Sequence, residues 1–229
     1  MKRRGGLVTV SGVDCAGKTT QIELLARALE RDGYRTRVLW YRPGYSARLD
    51  RLRRAVRRLR PGALPRATAS GARERAFARP GVSQAWLAMA LGDLLIEYAA
   101  VVRGRVLAGE VVICDRYLFD AGLDLTFRFP ALEGSSRRAL GAAARVCPRP
   151  DAELLLLLPE AEMLRRMELK NEPFPDPPEI RARRYAAYAE RARAPWVTPI
   201  DSAREIAAVH AELHRVVSEA LGRRGRSAR

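Results

Sequence analysis

The chain has 229 residues, 48% of them hydrophobic, enough for one large domain or two small ones with a substantial core. Its 42 basic and 26 acidic residues give a formal charge of +16, so anions are the expected ligands, phosphorylated small molecules and nucleic acid alike. Lysine occurs only at Lys2, Lys18 and Lys170, so the charge is almost all arginine, a bias that base composition can impose, and it weighs less in the argument than its size suggests. Cys15, Cys114 and Cys147 are an odd, scattered set without metal-ligand spacing, which argues for a reducing compartment and against a disulfide-built secreted domain. The apolar run near the N-terminus is too short for a signal peptide, and no segment approaches the length of a membrane span. A soluble cytoplasmic protein with no membrane partner is expected.

The first element is a short buried strand over Leu7–Val13, followed by a helix from Thr19 to Arg31 with apolar residues at Ile22, Leu24, Leu25, Ala28 and Leu29. Between them, Gly12 to Thr19 fills every fixed position of G-x-x-x-x-G-K-[ST], a phosphate-cradling loop. Glycines 12 and 17 allow backbone N–H groups to approach phosphate oxygens, and the helix N-terminus adds partial positive charge. Gly12, Asp14, Cys15, Ala16, Gly17, Lys18, Thr19 and Thr20 are therefore the candidate nucleotide contacts. Lys18 is expected to reach the β/γ-phosphates and Thr19 to place its hydroxyl on a magnesium ion.

A second strand is predicted over Arg37–Tyr41, with Arg42 at its end. From Ser46 to Arg60, Leu49, Leu52, Val56 and Leu59 form one stripe among seven arginines, a basic amphipathic helix. It reads as an outer face docked by its leucines or as a nucleic-acid or membrane-surface patch. Pro61 to Pro80 reads as a loop, and Ser83 to Ala108 as one long core helix. Then comes the nearly continuous apolar strand Val111–Asp115, which ends in Asp115-Arg116-Tyr117. An acid and a base at the end of a buried strand suit phosphoryl transfer: Asp115 can hold magnesium directly or through water, and Arg116 can neutralise an acceptor or a moving phosphoryl group.

The remaining strands are predicted at Glu153–Leu158 and Trp196–Ile200, with a helix over Ile180 to Ala194 whose Arg183, Arg184 and Tyr185 are later candidates. Strands alternating with long helices predict an α/β fold, a five-stranded parallel sheet flanked by helices. In such sheets ligands bind beyond the carboxyl ends of the strands, where Asp14, Arg42, Asp115 and Arg116 all fall. Residues 1–222 are expected to form one domain, and 223–229 a disordered basic tail.

With these motifs in order, the chain resembles the thymidylate kinase family of P-loop nucleoside monophosphate kinases. Gly12 to Gln21, GVDCAGKTTQ, is similar to its phosphate loop; Tyr41 to Gly44, YRPG, to its Arg-Pro-Gly loop; and Val111 to Tyr117, VVICDRY, to its Asp-Arg-Tyr segment. The resemblance runs from about Leu7 to about Leu221. It implies a P-loop NTPase-type fold, ATP as donor, magnesium as cofactor, Arg42 and Arg116 on an acceptor phosphate, Asp14 facing the acceptor sugar, and a homodimer through core helices. It also implies acceptor-side roles for Asp93 and Tyr117, to which the chain's own Asp120 is added as a candidate, and a lid around 159–178 with Arg165, Arg166 and Lys170 as its catalytic cations. Thymine-reading positions depart from the pattern: Ala90 stands where the family has an aromatic residue and Leu94 where it has an arginine. After Asp-Arg-Tyr, Asp120 and Asp124 introduce carboxylates that suit hydroxyl-rich or cationic acceptors or serve as caps, and the lid lacks the usual Arg-Gly. A kinase of a nucleoside, sugar or other small molecule, a nucleotide-dependent nucleic-acid-binding protein and a binding module without turnover remain as alternatives.

Overall fold

The computed structural model describes residues 4–44, 46, 51, 54, 58, 81–170 and 176–226. The elements in chain order are β1 (Gly6–Gly12), α1 (Lys18–Arg31), β2 (Arg35–Trp40), α2 (Val82–Leu107), β3 (Glu110–Asp115), α3 (Leu118–Arg128), α4 (Glu133–Val146), β4 (Ala152–Leu157), α5 (Glu160–Lys170), α6 (Pro178–Arg191), β5 (Val197–Asp201) and α7 (Ile206–Arg226). All five strands form one parallel sheet in the order β2-β3-β1-β4-β5. The predicted sheet is thus observed, with strand bounds displaced by one or two residues.

The order explains the sequence pattern. Central β1 is buried along its whole length, Thr9 and Ser11 included, and β3 and β4, buried except near their ends, read as nearly continuous apolar runs. Edge strand β2 has no buried residue and alternates with arginine, as an exposed edge does. Register places Val10 beside both Asp115 of β3 and Leu154 of β4, so the loops after β1 and β3 leave the sheet at the same edge.

The chain divides into two compact units. The first, 1–40, 102–117 and 148–229, holds the sheet with α1, α5, α6 and α7. Here α1 packs against α7, and the carboxylate of Asp32, the α1 C-cap, accepts from His214 Nε2 at 2.7 Å. Nearby, burial, the adjacent His214 and the Arg31 guanidinium all push the His210 imidazole below its usual value of 6.5. The neutral form is favoured by folding, so its stabilisation is full above 6.5 and is lost as pH falls through the lowered folded value. An NMR titration should therefore give His210 a midpoint below 6.5; an ordinary midpoint would remove this account.

The described elements of the second unit, 41–101 and 118–147, are helices. Leu87 and Ala90 of α2 pack with Leu125 and with Phe129 at the end of α3, and with partly buried Trp86, Leu91, Leu132 and Leu140. The 26-residue α2 is long and apolar enough to cross a membrane by length and composition alone, which corrects the expectation that no segment approaches the length of a span. Its buried stripe of Leu87, Ala90, Leu94, Tyr98, Val102 and Val106 at helical spacing marks it as a core helix. A π-helical stretch, Ile96–Val102, interrupts it.

Two expectations about charge-rich segments meet the structure only in part. Of the predicted basic helix, Ser46, Arg51, Arg54 and Arg58 are among the described residues; the three arginines are helical and exposed at spacings that share one helix face, and the rest of 45–80 lies outside the description. The tail predicted to be disordered from Arg223 is instead helical through Arg226, because Arg224 pairs with Asp151, a carboxylate that also accepts from the Leu7 backbone N–H. Residues 227–229 lie outside the description.

Candidate active site

The loop after β1 takes its shape from two glycines. Gly12 has φ 149°, and a Cβ there would sit 2.2 Å from the Leu156 carbonyl oxygen of β4. Gly17 has φ 76°, the left-handed conformation from which α1 starts. Cys15 between them also has a positive φ, 58°. The first N–H groups of α1 have no acceptor within the helix, and its first turn carries no acidic residue, so partial positive charge faces the loop. Lys18 folds back so that Nζ donates to the Gly12 and Val13 carbonyl oxygens at 3.0 and 2.8 Å. This stretches the lysine along the loop where an anion would lie.

Arg116 is the second anchor. Its φ of 75° is costly for a side-chain-bearing residue, about 1–3 kcal/mol, and such strain concentrates at functional positions. The backbone N–H donates to Val10 O at 3.0 Å, which fixes the turn at the end of β3. Its guanidinium donates to the Tyr188 hydroxyl at 2.9 Å and to Asp14 at 3.5 Å. Tyr188 is fully buried, so the arginine is braced from α6.

These groups line one cleft of about 460 Å³. Asp14, Cys15, Ala16, Gly17, Lys18, Thr19 and Thr20 form one wall, and Trp40, Asp115, Arg116, Arg166 and Lys170 complete it. Eleven of these twelve are residues that the sequence singles out. Trp40 is the one it missed: the last residue of β2, 61% exposed despite its size, and readable only as one more position at the carboxyl edge of the sheet. Tyr188, the brace of Arg116, carries no signal in the sequence beyond its place on an amphipathic helix.

The structure separates the three candidate cations of α5. Arg166 and Lys170 line the cleft, whereas Arg165 does not and is mostly exposed, bound to Glu162 through Nε and Nη2 at 2.8 and 2.9 Å. Arg166 also donates to Glu162, at 2.6 Å, and to the Ser202 carbonyl. Hydrogen bonds from Arg165 and then Arg166 hold the Glu162 carboxyl down at about 2, so it stays ionised at every physiological pH. Arg184 is buried against Asp176, and Tyr185 donates to Leu158 O; both line a smaller cleft beside Asp14. Residues 171–175 of the expected lid lie outside the description.

Thr19 and Asp115 offer a hydroxyl and a carboxylate to the same cleft. Among the described residues no three His, Cys, Asp or Glu side chains gather into a metal cage. A few hard oxygen donors beside a phosphate cradle fit magnesium, which keeps several waters and binds largely through substrate phosphates.

In the helical unit, Asp93 is buried and accepts hydrogen bonds from the Tyr41 hydroxyl at 2.9 Å and from Ser46 at 2.6 Å. It thereby ties the segment after β2 to α2. Arg42 donates through Nε to Asp124 at 2.9 Å, and Asp120 is buried one helical turn before Asp124. Ala90 and Leu94, where base-reading groups were expected and found substituted, are core positions. Tyr117, in the sheet unit, is buried with its hydroxyl donating to the Pro148 carbonyl, an anchoring contact.

No family model matches the chain. Individual relatives do. A thymidylate kinase of Desulfovibrio desulfuricans is 34% identical over 152 residues, 66% of this chain and 61% of the relative. This chain thus spans just under two thirds of that relative's length. The "Probable thymidylate kinase" of Pyrococcus horikoshii is 30% identical over 175 residues, covering 73% of this chain and 72% of its own. A thymidylate kinase of Xanthomonas campestris is 29% identical over 221 residues, 96% of this chain and 86% of the relative. With a parallel sheet in this order, a glycine-built phosphate loop at its edge and relatives of this extent, the chain belongs to the thymidylate kinase family.

Proposed function

We propose that this protein is an ATP-dependent kinase that transfers the γ-phosphoryl group to a nucleoside monophosphate. The observation that carries the reading is the convergence of Lys18, Arg116, Arg166 and Lys170 on the cleft walled by the phosphate loop. Phosphoryl transfer is catalysed mainly by positioning and by charge placed around the moving group, and four cations facing a backbone cradle supply both. Lys18 leaves the loop carbonyls for the β/γ-phosphates. Arg116, strained and braced, neutralises the transferring or acceptor phosphate, and Asp14 faces the acceptor sugar. Thr19 and Asp115 would hold magnesium, which when bound neutralises phosphate charge. Arg166 and Lys170, on a lid around 159–178, close on the donor and exclude water. Arg42 serves the acceptor phosphate, and Asp93, Tyr117 and Asp120 are the further acceptor-side residues. The whole acts as one kinase domain over 1–222, in the cytoplasm, where its three free cysteines stay reduced.

The test is ADP release with ATP and magnesium across nucleoside monophosphates, nucleosides and phosphosugars. Turnover confined to nucleoside monophosphates is expected. Because Ala90 and Leu94 are buried core residues without base-reading groups, discrimination for dTMP over other monophosphates should be weak. Turnover with nucleosides or sugars alone, or with none of the acceptors, would reject the reading.

A further inference from the structure

The ion pair between Arg42 and Asp124 has unequal members. The Arg42 side chain is 44% exposed on the irregular segment after β2, at the end of a long flexible stem, whereas Asp124 is 13% exposed. Asp124 has a short side chain on α3, and α3 is anchored by buried Ala121 and Leu125, the latter in the cluster with Leu87, Ala90 and Phe129. The carboxylate is therefore the fixed partner and the guanidinium the movable one. Asp120 lies one turn earlier on the same helix face and is itself buried. A guanidinium held at 2.9 Å from a fixed carboxylate is already largely neutralised. A phosphate seeking the same guanidinium meets that carboxylate as a like charge.

We propose that Asp124 is a specificity-determining residue: a built-in counter-anion of Arg42 that competes with the acceptor phosphate and keeps affinity for monophosphate acceptors below what the arginine alone would give. The inference rests on the reading of Arg42 as an acceptor-phosphate ligand. Like unit charges about 4 Å apart repel by an amount equal to roughly a five-fold change in affinity in bulk water, and by more where the site is partly desolvated.

Steady-state kinetics on the full chain, with nucleoside monophosphates as varied acceptor, test it. Asp124→Asn should lower the acceptor KM by ~5-fold or more while leaving the KM for ATP unchanged, and Asp124→Glu should stay near the wild-type value. Arg42→Ala should raise the acceptor KM. If Asp124 merely positions Arg42, Asp124→Asn will raise the acceptor KM; that result, or an unchanged KM at wild-type thermal stability, overturns the proposal. Should the asparagine variant unfold, Asp124→Ser carries the same expectation and the same overturning results. The two readings fail separately: an acceptor KM unmoved by Arg42→Ala removes the acceptor role of Arg42 and this proposal with it. A KM raised by Arg42→Ala but not lowered by Asp124→Asn removes only the counter-anion.

Discussion

Replacing Lys18 with alanine should reduce turnover by at least ~10³-fold while moving the melting temperature by no more than a few degrees. The asymmetry follows from what Nζ touches. In the structure Lys18 lines the cleft and Nζ donates to the Gly12 and Val13 carbonyls of the loop, where water can replace it once the side chain is cut back. In the reaction it carries a full charge to phosphate oxygens as negative charge shifts between them, and nothing else on that wall can substitute: Thr19 and Thr20 are neutral, and Asp14 has the opposite sign. Lys18→Arg should recover little, because a planar fork does not fit where a compact ammonium threads the loop. Single-turnover assays beside thermal melts separate the two quantities. A folded Lys18→Ala enzyme with near-normal turnover would mean that phosphoryl transfer does not pass through this loop.

Gly12→Ala should do the reverse and strike the fold first. The added Cβ would stand 2.2 Å from a backbone oxygen of Leu156, and no flexible side chain can yield there. Either β1 parts from β4 in the middle of the sheet or the backbone leaves φ 149°, and either route is expected to cost about 3 kcal/mol or more. For a chain of this size that corresponds to a fall of roughly 10 °C in melting temperature. Gly17→Ala is the internal control: a Cβ there meets nothing within 4 Å, so only the left-handed backbone is strained and the loss should be about 1 kcal/mol. Equal melting temperatures for the two variants would contradict the steric argument.

The sheet was legible because burial on both faces writes itself as unbroken apolar runs such as Leu154–Leu158, and because the phosphate loop must follow a strand and open a helix. What stayed hidden has physical reasons. The π-helical turn at Ile96–Val102 changes hydrogen-bond partners without changing composition, so the long helix read correctly and its interruption did not. The positive φ of Arg116 has no residue signature, since arginine is not a residue that favours it. Arg165 and Arg166 are adjacent, chemically identical and both bound to Glu162; only their places around α5 set Arg166 toward the cleft and Arg165 toward solvent. The tail from Arg223 was expected to be disordered as a basic terminal segment; the partner of Arg224, Asp151, lies distant in sequence and near in space.

The strand order also bears on how the chain is made. β1 and β2 emerge from the ribosome first, but they are not neighbours; β3 lies between them, and β1 needs β4 on its other side. The first partner of β1 thus appears roughly a hundred residues after it, several seconds of synthesis at typical rates. Throughout that interval a strand that will be buried along its whole length at the centre of the sheet has nothing to pair with. Nascent chains of this protein should therefore depend on holding chaperones until β3 is out, and should become compact only once Leu157 has cleared the exit tunnel.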